Sequence, residues 1–210
     1  MTLSSIEKKK MRQEKILLSL NELKFATSEH IRVLHKLGSL RNALKVLNQM
    51  KEYLNIRKHN GRNVYYINNL GREIIGAETE IKWSLTVDHH LLRNDMYLYF
   101  KLPQDWKAEQ KITFKYKNGL SYKESTIIPD ATFTLHNIYY FLEVDRTQSM
   151  SENKKKINQY KLLSPAIEEQ FKHKPFLVFY TTTESRKGLL EKLCSDVGLE
   201  NIIISKEDLR

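Results

Sequence analysis

"IIPDATFTLHNIYYFLEVDRTQS", residues 127–149, decides how the second half of the chain is read. Two apolar runs, "ESTIIPDATFTL" and "IYYFLEVDR", flank His136-Asn137, so they predict a β-hairpin turned at that pair. Along "FLEVDR" alternate residues share a face: Phe141, Glu143 and Asp145 point one way, Leu142 and Val144 the other. Apolar neighbours on both sides imply a strand buried on two faces, where an ionised carboxylate is expensive unless paired or bound to a metal. Asp130 ends the preceding strand segment, across the hairpin from these acids. Carboxylates converging on one point repel each other, and a divalent cation would settle them. Acids that hold an ion, and an ion that activates water, are the parts of metal-dependent phosphodiester hydrolysis. Asp130, Glu143 and Asp145 are therefore the candidate metal ligands and catalytic acids.

Downstream, Ser149 or Ser151 caps a helix, "SENKKKINQYKLLS", predicted to end near Pro165. A buried strand, "PFLVFYTTT", an amphipathic helix over 184–197 and a short strand, "NIIIS", follow. Upstream, "KITFKYKN" alternates Ile112, Phe114 and Tyr116 against Lys111, Thr113, Lys115 and Lys117 before an Asn-Gly turn. Before that, a helix is predicted from about 84 to 100, ending ahead of Pro103. His90 and Asn94 lie at i, i+4 on it and read better as polar groups packed on a neighbouring sheet than as a metal pair. One of Asn94 or Asp95 is expected to turn toward the acids. A hairpin feeding helical crossovers predicts a mixed α/β (α+β) sheet domain over 84–210.

The charge is unevenly placed. Residues 1–76 hold 15 Lys/Arg against 6 Asp/Glu, a net of +9 out of the whole chain's +10. Concentrated positive charge releases counterions when it meets phosphate, so a polyanion partner is expected for this segment. Three amphipathic stretches follow one another there. Ile16, Leu17, Leu20 and Leu23 share one helical face; Thr27 or Ser28 caps the next helix, broken at Gly38; Ser39 caps a third with Leu40, Ala43, Leu44, Leu47 and Met50 on one stripe. Two strand-like runs then flank "HNGRN", where Asn60-Gly61 predicts a tight hairpin.

Three helices and a hairpin with a basic tip are the order of a winged helix-turn-helix, whose third helix enters the major groove of double-stranded DNA. Ser39, Arg41, Asn42 and Lys45 stand early on that helix; Arg suits guanine, Asn adenine, and Lys phosphate or guanine. Lys58, His59 and Arg62 at the hairpin tip would follow the backbone or minor groove. The predicted division is a winged helix-turn-helix over 1–76, a linker at 77–83 and the α/β domain from 84.

The run "PDATF…YYFLEVDRTQSMSENKKKINQYKLL" behind a winged helix resembles the plasmid replication-relaxation family, over about residues 13–180. Pro129-Asp130 followed by Glu143-Val144-Asp145 is similar to the restriction-endonuclease-like PD-(D/E)xK fold. The resemblance implies a protein of plasmid or mobile-element replication, DNA relaxation or their regulation. It also implies that Asp130 and Glu143 match the fold's two metal-binding acids. Asp145 stands where that fold carries its lysine, which positions the attacking water and steadies developing charge. Among Lys154, Lys155 and Lys156, the last is the preferred substitute, one turn from Tyr160. Three functions follow: a duplex-DNA binder needing no cofactor, a DNA endonuclease or nickase using Mg²⁺ or Mn²⁺, and an adaptor docking a replication protein or relaxase. Duplex sites are usually read by dimers, so a homodimer is expected.

No apolar run approaches the roughly 20 residues that cross a bilayer, so no membrane partner is expected. The opening "MTLSSIEKKKMRQEK" lacks the apolar core of a secretory signal. Cys194 is the one cysteine, which suits a cytoplasmic setting, and it is expected to be a packed helix residue with no nucleophilic role.

Overall fold

Ser4 caps the first helix by a capping box, its hydroxyl accepting from Glu7 N–H while the Glu7 carboxylate accepts from Ser4 N–H. In the computed structural model, which describes residues 4–209, that helix, α1 (Ser5–Leu23), runs about three turns upstream of its first buried residue, Ile16. A two-residue strand, β1 (Ala26–Thr27), follows and leads directly into α2 (Ser28–Leu34), capped by Thr27. Ser39 caps α3 (Leu40–Gln49). The chain then forms an antiparallel pair, β2 (Leu54–His59) and β3 (Arg62–Ile67). Asn60 and Gly61 both take positive φ, 48° and 77°, the conformation a two-residue hairpin needs. β3 also pairs with β1, which makes a three-stranded sheet in the order β1-β3-β2. A short helix, α4 (Asn69–Ile75), ends at Gly76 in the left-handed conformation.

The next helix, α5 (Val87–Tyr99), departs from expectation. The sequence predicts it as the start of the second domain, yet the chain divides into two compact units between Tyr99 and Phe100. Hydrogen bonding explains its place in the first unit. Asn94 is fully buried, and its amide nitrogen donates to the carbonyls of Leu23 (3.1 Å) and Phe25 (2.8 Å). Leu23 is the last residue of α1 and Phe25 lies two beyond it, where helical partners run out. Asp95 meets His30 of α2 at 2.8 Å, and Asp88 meets His59 of the hairpin at 2.6 Å. Asn94 and Asp95 thus serve the first unit and do not turn toward the acids. Val87 joins a core with Leu17, Phe25, Ile31, Leu47 and Tyr66, packed against by Trp83 and Leu91.

The second unit begins with a short strand, β4 (Lys107–Ala108), which the sequence did not predict. β5 (Ile112–Asn118) and β6 (Ser121–Ile127) form a separate two-stranded hairpin. β7 (Ala131–Leu135) and β8 (Ile138–Asp145) form the hairpin predicted around His136-Asn137, both of which have positive φ. The predicted single strand "ESTIIPDATFTL" is in fact divided: Pro129 has no N–H to offer a ladder, and β6 and β7 on its two sides belong to different sheets. Then come α6 (Met150–Phe171), β9 (Phe176–Thr181), α7 (Glu184–Val197) and β10 (Glu200–Ser205).

The main sheet has the order β10-β9-β8-β7-β4, with β8, β9 and β10 parallel and β7 and β4 antiparallel to their neighbours, so the protein is mixed α/β as predicted. Phe141, Leu177, Phe179 and Ile203 of this sheet share a core with Ile157, Tyr160 and Leu163 of α6 and Leu190 and Cys194 of α7. Cys194 is fully buried, and burial pushes its thiol up to about 12. α6 passes through Pro165 instead of ending there. An interior proline costs a helix about 3 kcal/mol; beyond it, Ile167 is buried and Phe171 stacks on Tyr139 at 4.7 Å, contacts that an earlier stop would forfeit.

Asn94→Ala would remove the side-chain donor of Phe25 O and one of the three donors of Leu23 O, which also accepts from Phe25 N–H and Arg93. It is expected to lower the stability of the first unit by about 2 kcal/mol, measured as the urea midpoint followed by tryptophan fluorescence.

Candidate functional site

β8 is buried along its whole C-terminal half, from Phe141 to Asp145, by the alternation noted in its sequence. Two carboxylates on one face of such a strand need partners from inside the protein. α6 supplies them for Glu143, which is only 2% exposed. Tyr160 donates its hydroxyl to Glu143 Oε1 at 2.6 Å, and the Lys156 ammonium pairs with Oε2. The two donors lie one helical turn apart, so they present to the same point on the sheet. Asp130 accepts from the Val144 amide at 2.6 Å, which holds it beside the strand next to Glu143.

The electrostatics follow from this enclosure. Burial, and then the neighbouring Asp130 charge, push Glu143 up to about 7, against the opposing pull of Lys156 and Tyr160. Burial works against the Lys156 charge, but the Glu143 and Asp130 carboxylates outweigh it and hold the ammonium above its ordinary range. Tyr160 is driven well above the usual phenol range by burial and by Glu143, so it stays a donor.

Asp145 belongs to a different set. Arg186, in the first turn of α7, grips it through two bonds of 2.6 Å, and Asn153 and Thr181 add bonds of 2.9 and 3.0 Å. Arg186 also donates to the Gln148 carbonyl at 2.6 Å, tying the end of β8 to the loop before α6. Burial raises the Asp145 carboxyl, but these hydrogen bonds outweigh it and keep it below the ordinary carboxylate range. The three acids named from the sequence are therefore not brought to one point. Among the described residues, no group of three His, Cys, Asp or Glu side chains could hold a metal ion. A three-carboxylate metal set does not fit, because both Asp145 oxygens are already occupied by fixed donors. What the structure gathers is Asp130, Glu143 and Lys156, with Tyr160 behind them.

Arg186 and Asn153 were missed in the sequence. A usable signal existed: in a parallel sheet, the C-terminal ends of adjacent strands and the helix starts that follow them meet at one edge. Asp145 and Thr181 end β8 and β9 and are register partners, and Arg186 opens α7.

The basic segment presents a second candidate surface. On α3, Arg41, Lys45 and Gln49 are exposed as predicted, but the buried stripe is Ala43, Val46, Leu47 and Met50, whereas Leu40 and Leu44, expected on it, are exposed. Ser39 and Asn42 have structural duties there. The Ser39 hydroxyl accepts from Asn42 N–H at 3.2 Å, and the Asn42 amide donates to Leu37 O at 2.8 Å. Lys58 and Arg62 are exposed on the β2–β3 hairpin. His59 instead turns back to Asp88 of α5 and packs edge-on against Trp83, with Arg57 lying over the same indole at 5.3 Å.

A family model described as replication-relaxation matches residues 17–177, a span reaching from the core of α1 to the second residue of β9. The chain belongs to the replication-relaxation family. Membership points to a role in the replication of plasmids or mobile elements. No curated protein and no solved structure matches the chain. None of the helices among the described residues is long and apolar enough to cross a membrane.

Glu143 gives a pH signature. Its folded carboxyl holds a proton up to about pH 7, against 4.5 for an ordinary glutamate, so the folded state binds more protons than the unfolded one between those values. Stability from this group is then present at acid pH and lost as pH rises through that window, by about 3 kcal/mol in total. Urea unfolding of wild type and Glu143→Gln at pH 5, 6, 7 and 8 measures it: the wild type should lose stability relative to the variant as pH rises.

Proposed function

We propose that this replication-relaxation family member is a double-stranded DNA-binding protein, with its first unit acting as a winged helix-turn-helix. The observation that carries this reading is the exposed face of α3, with Arg41 and Lys45, together with the exposed Lys58 and Arg62 of a tight hairpin. These side chains lie in the segment that holds a net +9 of the chain's +10. The element order agrees with it: helix, short strand, two helices, then a two-stranded hairpin paired to that short strand. In such a fold the third helix docks in the major groove and the hairpin rides on the backbone. Arg41 and Lys45 are the groups for base edges and phosphates; Lys58 and Arg62 follow the backbone. Ser39 and Asn42 act by setting the start of α3, and His59 by holding the hairpin against α5. The protein works as a cytoplasmic homodimer on two-fold sites. Binding needs no metal.

A second reading, metal-dependent DNA cleavage by a PD-(D/E)xK-like second unit, is favoured by one observation. Asp130 and Glu143, the two acids that the fold would use, are neighbours, and Lys156 brings a cation to them from α6. Against it stands the enclosure of Glu143, whose two oxygens both already have donors.

Fluorescence anisotropy of the full chain with a labelled duplex tests the first reading. Affinity should fall with salt, and Arg41→Ala combined with Lys45→Ala should weaken it about tenfold or more and make the salt slope shallower by about 1 to 2. Unchanged affinity and slope would sink it. The second is tested by incubating supercoiled plasmid with Mg²⁺ or Mn²⁺ and wild type, Glu143→Ala or Lys156→Ala. Nicking by wild type alone supports cleavage; identical plasmid in all three lanes removes it.

A further inference from the structure

The β5–β6 hairpin is left without a role by either reading, although it concentrates the charge of its unit. Residues 111–126 carry four lysines and one glutamate, a net +3, while the whole unit over 100–210 holds 18 Lys/Arg against 15 Asp/Glu, also a net +3. Without the hairpin the remainder of the unit, 14 basic against 14 acidic residues, is neutral.

Its two faces are chemically distinct. Phe114 and Ile127 are buried in the core with Ile157 and Tyr160, and Ile112 and Tyr116 pack against it, so one face is seated on α6. The opposite face alternates out to solvent. Lys111, Lys115 and Lys117 are exposed on it, and register places Tyr122 directly opposite Lys117 and Glu124 opposite Lys115. The turn is carried by Gly119 at positive φ, and it leaves Leu120 wholly exposed and Tyr122 73% exposed. From Lys111 to Lys117 the charge extends over about 20 Å of strand.

We propose that this hairpin is a second nucleic-acid contact, which grips unpaired DNA: Tyr122 and Leu120 offer the surface on which bases stack, and Lys111, Lys115 and Lys117 track the phosphates. Every base has a π-face, so an exposed aromatic ring between lysines suits single strands of any sequence. In a duplex those faces are covered by neighbouring pairs, which leaves a ring at a hairpin tip nothing to stack on. An acidic protein surface would be served by the lysines alone and gives no use to the ring. A hairpin fixed by one face to a helix is also a rigid platform, so little ordering is lost on binding. The contact is separate from α3 and stands whether or not that helix reads duplex DNA.

The test uses the full chain and three fluorescein-labelled probes: a single-stranded oligothymidylate, a duplex of equal length, and a duplex with a single-stranded tail. Tyr122→Ala is expected to weaken oligothymidylate binding about tenfold, with Tyr122→Phe restoring it. Lys115→Ala with Lys117→Ala should reduce the salt slope on the single strand by about 1.4, at roughly 0.7 for each lost phosphate contact. Duplex affinity should be unchanged in all three variants, and the tailed duplex should bind more tightly than the blunt one only while Tyr122 or Phe is present. Single-strand affinity equal to wild type in Tyr122→Ala would overturn the proposal. So would an equal loss on duplex and single strand, which would make the hairpin an unselective patch, or displacement of oligothymidylate by polyglutamate at equal charge. A loss of duplex binding in Arg41→Ala with Lys45→Ala reports on α3 alone, so the two readings fail separately.

Discussion

A carboxylate in the middle of a two-sided strand cannot be left to itself, and Glu143 sets the terms on which the second unit assembles. β8 is the central strand of five, flanked by β9 on one side and β7 on the other, and with α6 over its face the Glu143 head group is almost wholly removed from solvent. Its two oxygens are answered by Lys156 and Tyr160, which fixes the rotation and height of α6 on the sheet more narrowly than apolar packing would. With α6 so placed, Asn153 reaches Asp145 from the same helix, and Arg186 reaches it from α7. The hydrophobic core of Phe141, Ile157, Leu177 and Phe179 supplies the larger share of the stabilisation, while the polar contacts select one register for it. Removing one partner of a buried ion pair is far costlier than exchanging the pair for apolar groups.

The first unit solves a related problem by different means. Its sheet is only three strands wide, and one of them contributes two residues. α5 steadies this small scaffold through polar contacts: Asn94 on the carbonyls after α1, Asp95 on His30 of α2, and Asp88 on His59 of the hairpin. With those elements held from one side, the basic residues of α3 and the hairpin tip are left free of packing duties and open to solvent. The net +9 of residues 1–76 repels itself, and a polyanion partner would relieve that repulsion.

Much of this was legible in the sequence because it rests on short-range chemistry. The caps at Thr27, Ser39 and Ser149, the turns at Asn60-Gly61 and His136-Asn137, and the helix over 184–197 all follow from residues within a few positions of one another. Lys156 and Tyr160 could be placed together on one face of α6 by spacing alone. What was not legible depended on distant partners. α5 has a weakly amphipathic sequence, and distant partners assign it to the first unit: the carbonyls of Leu23 and Phe25, some 70 residues earlier, with His30 and His59. The strand at 107–108 has too few residues to carry a period. Pro165 is locally a stop signal, overridden by the burial of Ile167 and the stacking of Phe171 on Tyr139. Asp145 shares a face with Glu143, as alternation requires, yet Arg186 lies 41 residues away on another helix and draws it into a separate network.

Whether duplex DNA meets the protein on α3 is tested most directly by hydrogen–deuterium exchange of the full chain, with and without duplex at low salt. Slower exchange over residues 39–49 and 57–63 is the predicted result, with α6 and β8 unchanged. Protection confined to residues beyond 99, or none at all under conditions where anisotropy reports binding, would contradict it.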